Sequence, residues 1–105
     1  MNDLFEKKVI QQKSIEFKDK VNFVKAQSFY LKKDWDTTLI YAMRELSISN
    51  DKTITDYCHY FRGISLFKKK LYLEAKKELI LVSNSFQLSA KRNISLGATL
   101  LELNE

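Results

Sequence analysis

Apolar residues recur along this chain at steps of three and four, the spacing that lays them along one face of a helix. From residue 3 to about residue 32 no breaker intervenes, and Leu4, Phe5, Val9, Ile10, Ile15, Phe17, Val21, Val24 and Leu31 carry the stripe. This predicts one long helix, or two joined near residues 14–20. Lys32-Lys33-Asp34 reads as a tight turn, because Trp35, Leu39, Ala42, Met43 and Leu46 begin a fresh stripe directly after it. Residues 47–52 are polar, with side chains that compete for the helical backbone, so a connection is expected there. Thr53 or Thr55 is the expected cap of the next helix, with Asp56 near its positive end.

That third stretch carries Ile54, Cys58, Phe61, Gly63, Ile64 and Phe67 and runs into Lys68-Lys69-Lys70, where the chain turns again. Leu71, Tyr72, Ala75, Leu79 and Val82 form another stripe, which ends at Ser83-Asn84-Ser85. A last helix is expected from about residue 88 to residue 103. Helices alternating with short turns predict an all-α fold of antiparallel hairpins, used about twice, with a further helix at each end. The count is five to six.

Composition sharpens this picture. Proline is absent and glycine occurs twice, so a sheet protein built on tight turns lacks its punctuation. With 105 residues, 45% of them hydrophobic, the chain can bury one core and no second domain. Cys58 is the only cysteine, which removes an intramolecular disulfide and a cysteine-based zinc site and favours a reducing, cytoplasmic setting. Nowhere do eighteen apolar residues stand together, so neither a membrane span nor a secretory leader is expected. The net charge of +5 permits an acidic partner without requiring one.

The two glycines, Gly63 and Gly97, lie 34 residues apart, each inside a helical stretch. A helical glycine costs about 1 kcal/mol relative to alanine, so two at one phase predict a close approach by a neighbouring helix at each. A period of this length belongs to helix–turn–helix repeats. The stretch from Gly63 through Leu66, Phe67, Tyr72, Ala75 and Leu79 to Val82 resembles a tetratricopeptide repeat. It has the small residue of the first helix, the aromatic at the turn, and the alanine of the second helix. A second copy runs from Ala26 through Phe29, Tyr30 and Trp35 to Ala42, with Thr38 where alanine is usual and Ala42 where a large residue is usual. A third copy is a first helix only, around Gly97, Leu100 and Leu101. The resemblance implies a short right-handed solenoid: an amino-terminal helix over 1–17, repeats over 18–50 and 53–86, and an unpaired first helix over 88–105. Departures are a connection about three residues longer than usual near Asn50–Lys52, the lack of a closing proline, and polar Asn22 and His59 at places that are often bulky and apolar.

In that family the first helices line a concave face that holds a peptide or a helix. The implied groove positions are Phe23, Gln27 and Tyr30 in one copy and Tyr57, Tyr60, Ile64 and Phe67 in the next. Lys68 stands at the rim. Aromatic groups bury much area at low entropic cost, so an apolar or amphipathic segment of another protein is the expected ligand. Members that clamp a carboxylate use lysine, asparagine and arginine at these places, and that ligand is not expected. The same aromatic spacing equally suits a core stripe, or a groove filled by the amino-terminal helix through Leu4, Phe5, Val9 and Ile10 as an internal competitor. Lys32, Lys33, Lys69 and Lys70 occupy equivalent turns and predict a basic edge, read first as solubilising turn lysines and second as an RNA contact. Three arginines, Arg44, Arg62 and Arg92, offer no array for reading bases.

No catalytic set emerges. Adjacent helical residues diverge by about 100°, so Cys58 and His59 do not make a nucleophile and its base. Asp34, Asp36, Glu74 and Glu78 read as solvated charges. Neither a metal site nor a cofactor loop is expected, and no enzyme. The unrelieved apolar residues Leu100, Leu101 and Leu103 predict either a homodimer, through the last helix or through the aromatic groove, or a continuation in a longer protein. The expected function is a non-enzymatic interaction module or adaptor, with a self-associating regulatory or assembly segment as the alternative.

Overall fold

The computed structural model of the chain describes residues 20–104. Among these the regular structure is entirely helical: α1 (Val21–Leu31), α2 (Trp35–Leu46), α3 (Lys52–Lys68), α4 (Tyr72–Leu81) and α5 (Ser89–Glu102). The part of the predicted first helix before residue 20, with its proposed place in a groove, lies outside the described residues. Each helix packs on the next in the chain, and α1, α3 and α5 also touch in succession. No described helix is long and apolar enough to cross a membrane.

The turns show why hairpins form without proline or glycine. Lys33 has φ 62° and Lys70 has φ 65°, both in the left-handed region. Around the first, the Lys33 amide donates to the Tyr30 carbonyl (3.0 Å) and the Asp34 amide to the Phe29 carbonyl (2.9 Å). Around the second, the Lys70 amide donates to Phe67 (2.9 Å) and the Leu71 amide to Leu66 (2.9 Å). This double bond satisfies helix-end carbonyls and reverses the chain in three residues. Asn104, with φ 60°, ends α5 in the same way, its amide donating to the Leu101 carbonyl (3.1 Å). The three left-handed residues stand in the phase of Ala26, Gly63 and Gly97.

The two glycines part company. A Cβ on Gly63 would meet Cδ2 and Cγ of Leu79 at 2.5 and 2.6 Å, so here α3 and α4 approach as only glycine allows. Gly97 is exposed, with nothing among the described residues within 4 Å of such a Cβ, which corrects the expectation of a close neighbour at both positions. The difference is tertiary: α4 covers Gly63, and no described helix covers the equivalent side of α5.

Capping also differs from expectation. Asp51, not Thr53 or Thr55, caps α3, accepting from the amides of Thr53 (2.9 Å) and Ile54 (3.3 Å). Its carboxylate also reaches Lys20 at 3.3 Å and so ties the start of α3 to the start of α1. Asp34 caps α2 through the Thr37 amide (3.3 Å). Thr38, unusual in the repeat pattern, is fully buried and donates its hydroxyl to the Asp34 carbonyl at 2.7 Å, so its polar atom is satisfied.

The core gathers Ala26, Ala42, Ile54, Cys58, Phe61, Leu79, Val82 and Phe86. Buried polar groups stitch its edges. Asp56 accepts the Ser83 amide at 3.0 Å and the Ser83 hydroxyl, fixing the end of α4 against α3. Burial alone would raise its carboxyl, but Ser83 and then Lys52 outweigh that and hold it below the ordinary range. Arg92 of α5 is buried and donates to the carbonyls of Leu79 (3.0 Å) and Val82 and to Oδ1 of Asn84 (2.6 Å). A cation at the carboxy-terminal end of α4 favours the helix dipole while satisfying carbonyls left over by the helix.

Candidate interaction surface

Residues three and four apart on α1 and α3 bring the aromatic positions together where the two helices meet. Tyr30 lies 4.5 Å from Phe61 and 6.4 Å from Tyr60, centroid to centroid. Phe23 stacks on Phe61 at 6.2 Å with an interplanar angle of 14° and tilts against Tyr57 at 5.8 Å. Tyr57 meets Phe86, beyond α4, edge-on at 4.7 Å. Offset and edge contacts of this kind add to what burial alone contributes. The cluster thus cements α1, α3 and the α4–α5 connection.

The predicted groove residues divide by depth. Tyr60 is only 7% exposed and belongs to the core, which corrects its assignment to a ligand-facing surface. Phe23, Tyr30, Tyr57, Ile64 and Phe67 are half-buried, each with part of its surface in water. Gln27 and Lys68 are exposed. Phe67 stands apart from the main cluster and packs edge-on against Tyr72 at 5.4 Å, across the α3–α4 turn. Burial, and next the Tyr60 phenol, push the Tyr30 hydroxyl above its ordinary range, so it stays protonated. Gln87 donates its side-chain amide to the Tyr57 hydroxyl.

The lysines predicted to share an edge are all exposed, at the α1–α2 and α3–α4 turns. Lys69 reaches across to the Asp36 carboxylate, in the first turn of α2, which brings the two turns side by side. Lys32 lies over the Phe29 ring, 5.5 Å from its centroid. Lys33 and Lys70 are the left-handed residues of these two turns, so these lysines shape the turns as well as charging them.

One polar cluster lay hidden in the sequence. Glu78 is not a solvated charge: its side chain is 14% exposed, with Oε1 accepting from Arg62 Nε at 2.8 Å and Oε2 lying 2.7 Å from Nδ1 of His59. Arg62 also donates to the Leu39 carbonyl at 3.1 Å, so the cluster joins α2, α3 and α4. Burial would raise Glu78, but His59 and Arg62 outweigh it and hold the carboxyl below its usual value. Residues 62 and 78 are equidistant from Lys70, so pairing positions across the second hairpin would have found this contact. Cys58 is fully buried, and burial pushes its thiol up to about 12, which removes the thiolate a nucleophile needs. Among the described residues no group of three or more His, Cys, Asp or Glu is arranged to hold a metal.

Comparison of the chain with protein-family models, with curated proteins and with solved structures finds no match. The functional reading therefore rests on this chain's own geometry.

Proposed function

We propose that this chain is a helical-repeat interaction module of tetratricopeptide type, which binds an apolar or amphipathic segment of another protein along α1 and α3. The observation that carries this reading is the row of half-buried side chains Phe23, Tyr30, Tyr57, Ile64 and Phe67 on two neighbouring helices, bordered by exposed Gln27 and Lys68. Each ring is anchored on one side and open on the other, so it offers contact area with little rotamer entropy left to lose. Gln27 supplies a polar group to orient a backbone, and Lys68 a rim charge. Left-handed residues at Lys33, Lys70 and Asn104, standing at one register from Ala26, Gly63 and Gly97, support the solenoid reading, because a stacked repeat reuses its turn at a fixed position.

The test selects peptides from a random display library on the immobilised full chain. Binding of the selected peptides to wild type, Gln27→Glu and Phe67→Ala is then measured by fluorescence polarisation. The reading expects peptides with apolar residues three or four apart, bound about tenfold more weakly by each variant at unchanged helical content. Peptides that bind both variants as tightly as wild type would sink it.

A further inference from the structure

Four of the described helices leave large apolar side chains in water: α1 through Val21 and Leu31, α2 through Ile40 and Met43, α4 through Leu73, Ile80 and Leu81, and α5 through Ile94 and Leu101. The α5 pair is the most exposed, at 74% and 76%. Ala90, Ile94, Gly97 and Leu101 follow at steps of four, three and four, with half-buried Ala98 beside them, and form one apolar stripe. Arg92 and Thr99, which anchor α5 to the domain, lie on the opposite side. At the centre of the stripe Gly97 occupies the phase of Gly63, on which Leu79 of a packed helix sits, yet no other described residue comes within 4 Å of a Cβ built on it.

We infer that this stripe is a homotypic docking surface, on which α5 packs antiparallel against α5 of a second copy about a two-fold axis between Gly97 and Ala98. Two observations select that occupant. The first is size. Antiparallel pairing about this centre sets Gly97 against Ala98 of the second copy, letting the backbones approach, and sets Ile94 against Leu101 of the second copy on either side. Large meets large at the flanks and small meets small at the crossing, as a self-complementary interface requires.

The second observation is charge. Lys91 and Glu102 are exposed, make no ion pair among the described residues, and lie along the same flank of the stripe near its two ends. In an antiparallel pair the like flanks of two helices meet, so Lys91 faces Glu102 of the second copy, and the pairing occurs twice. Parallel packing would set unlike flanks together and form neither pair. The outer faces of α2 and α4 are poorer mates, because their alanines, Ala42 and Ala75, are buried and no small residue opens a crossing point.

A face of about three turns is smaller than the roughly 800 Å² per partner of a stable interface, so the association is weak and set by protein concentration. It goes beyond the aromatic-face reading and stands without it, since the residues named for that face are on α1 and α3 and the stripe residues are on α5.

The experiment is sedimentation equilibrium of the full chain from about 5 μM to about 1 mM, at low and at high salt. Wild type is expected to rise from monomer toward dimer. A Cβ at Gly97 meets no atom of the described residues within 4 Å and the backbone there is ordinary helix, so Gly97→Glu is expected to fold and to raise the dissociation constant tenfold or more. Lys91→Glu and Glu102→Lys each turn two attractions into repulsions and are expected to weaken the dimer about three- to tenfold at low salt. The double swap, Lys91→Glu with Glu102→Lys, restores it. A chain monomeric at about 1 mM, a dimer indifferent to Gly97→Glu, or a double swap no better than the single ones overturns the inference.

Discussion

Gly63 and Gly97 turn one substitution into an experiment on packing, because alanine should have opposite effects at the two positions. At Gly63 the new methyl would lie 2.5 and 2.6 Å from Cδ2 and Cγ of Leu79. The clash involves the branch carbon and not only a methyl tip, and Leu79 is fully buried, so rotating its end does not relieve it. Overpacking of this kind costs about 1–3 kcal/mol, and the upper part of that range applies where the neighbour cannot yield. Against it stands the gain of about 1 kcal/mol from replacing a helical glycine by alanine. The net for Gly63→Ala is a loss of about 2 kcal/mol. At Gly97 no atom of the described residues lies within 4 Å of the new methyl, so only the propensity gain remains, and Gly97→Ala should stabilise by about 0.5–1 kcal/mol. At roughly 4–8 °C per kcal/mol, the melting temperatures should move about 8–16 °C down and about 2–8 °C up. Urea unfolding followed by circular dichroism at a few micromolar, where any self-association is negligible, reads both values. The slope with denaturant should be unchanged, since the folded surface is the same. A Gly63→Ala chain as stable as wild type would refute the argument that α4 demands glycine there. A destabilised Gly97→Ala would show that something covers α5 in the monomer.

Two further outcomes follow from buried charge. Arg92→Met keeps the apolar stem but takes the donor from the Val82 carbonyl and leaves the Leu79 carbonyl with only the Val82 amide at 3.3 Å, and should cost about 1–3 kcal/mol in urea unfolding; a cost below about 0.5 kcal/mol would mean that water replaces the guanidinium freely. Glu78, Asp56 and Asp51 all hold protons less tightly when folded than the ordinary values near 4.5 and 3.8, so the unfolded chain binds more protons in acid. The associated stability is fully present above about pH 5 and is lost as pH falls through the depressed values. Glu78→Gln should flatten the decline of unfolding free energy as pH falls below about 5; an unchanged decline would remove Glu78 from the account.

Much of the fold was legible because helices, and the turns between them, are local. Trp35, Leu39, Ala42, Met43 and Leu46 define a face whatever it packs on, and the observed α2 spans Trp35–Leu46. The turns at Lys33 and Lys70 were legible as breaks in the stripe, although their left-handed lysines carry no compositional mark. The cap of α3 was misassigned because Asp51, Thr53 and Thr55 are all good capping residues. Asp51 wins because it also reaches Lys20 from the start of α1, a contact 31 positions away. The candidate surface was legible as a set of residues but not in depth. Periodicity names Tyr60 and Phe67 alike as one face of α3, and only the packing of α1 and Phe86 buries the first while leaving the second half in water.

By itself, then, the sequence determined what depends on neighbours three or four residues away: the helices, the places where they stop, and which side of each is apolar. The tertiary structure alone decided which apolar sides are covered. Gly63 and Gly97 sit in the same repeat phase, yet one is locked beneath Leu79 and the other faces water. Glu78 reads as a surface charge until α3 places Arg62 and His59 against it. Burial is a property of what lies across the gap, and residues far apart in the chain supply it, so no local pattern can state it.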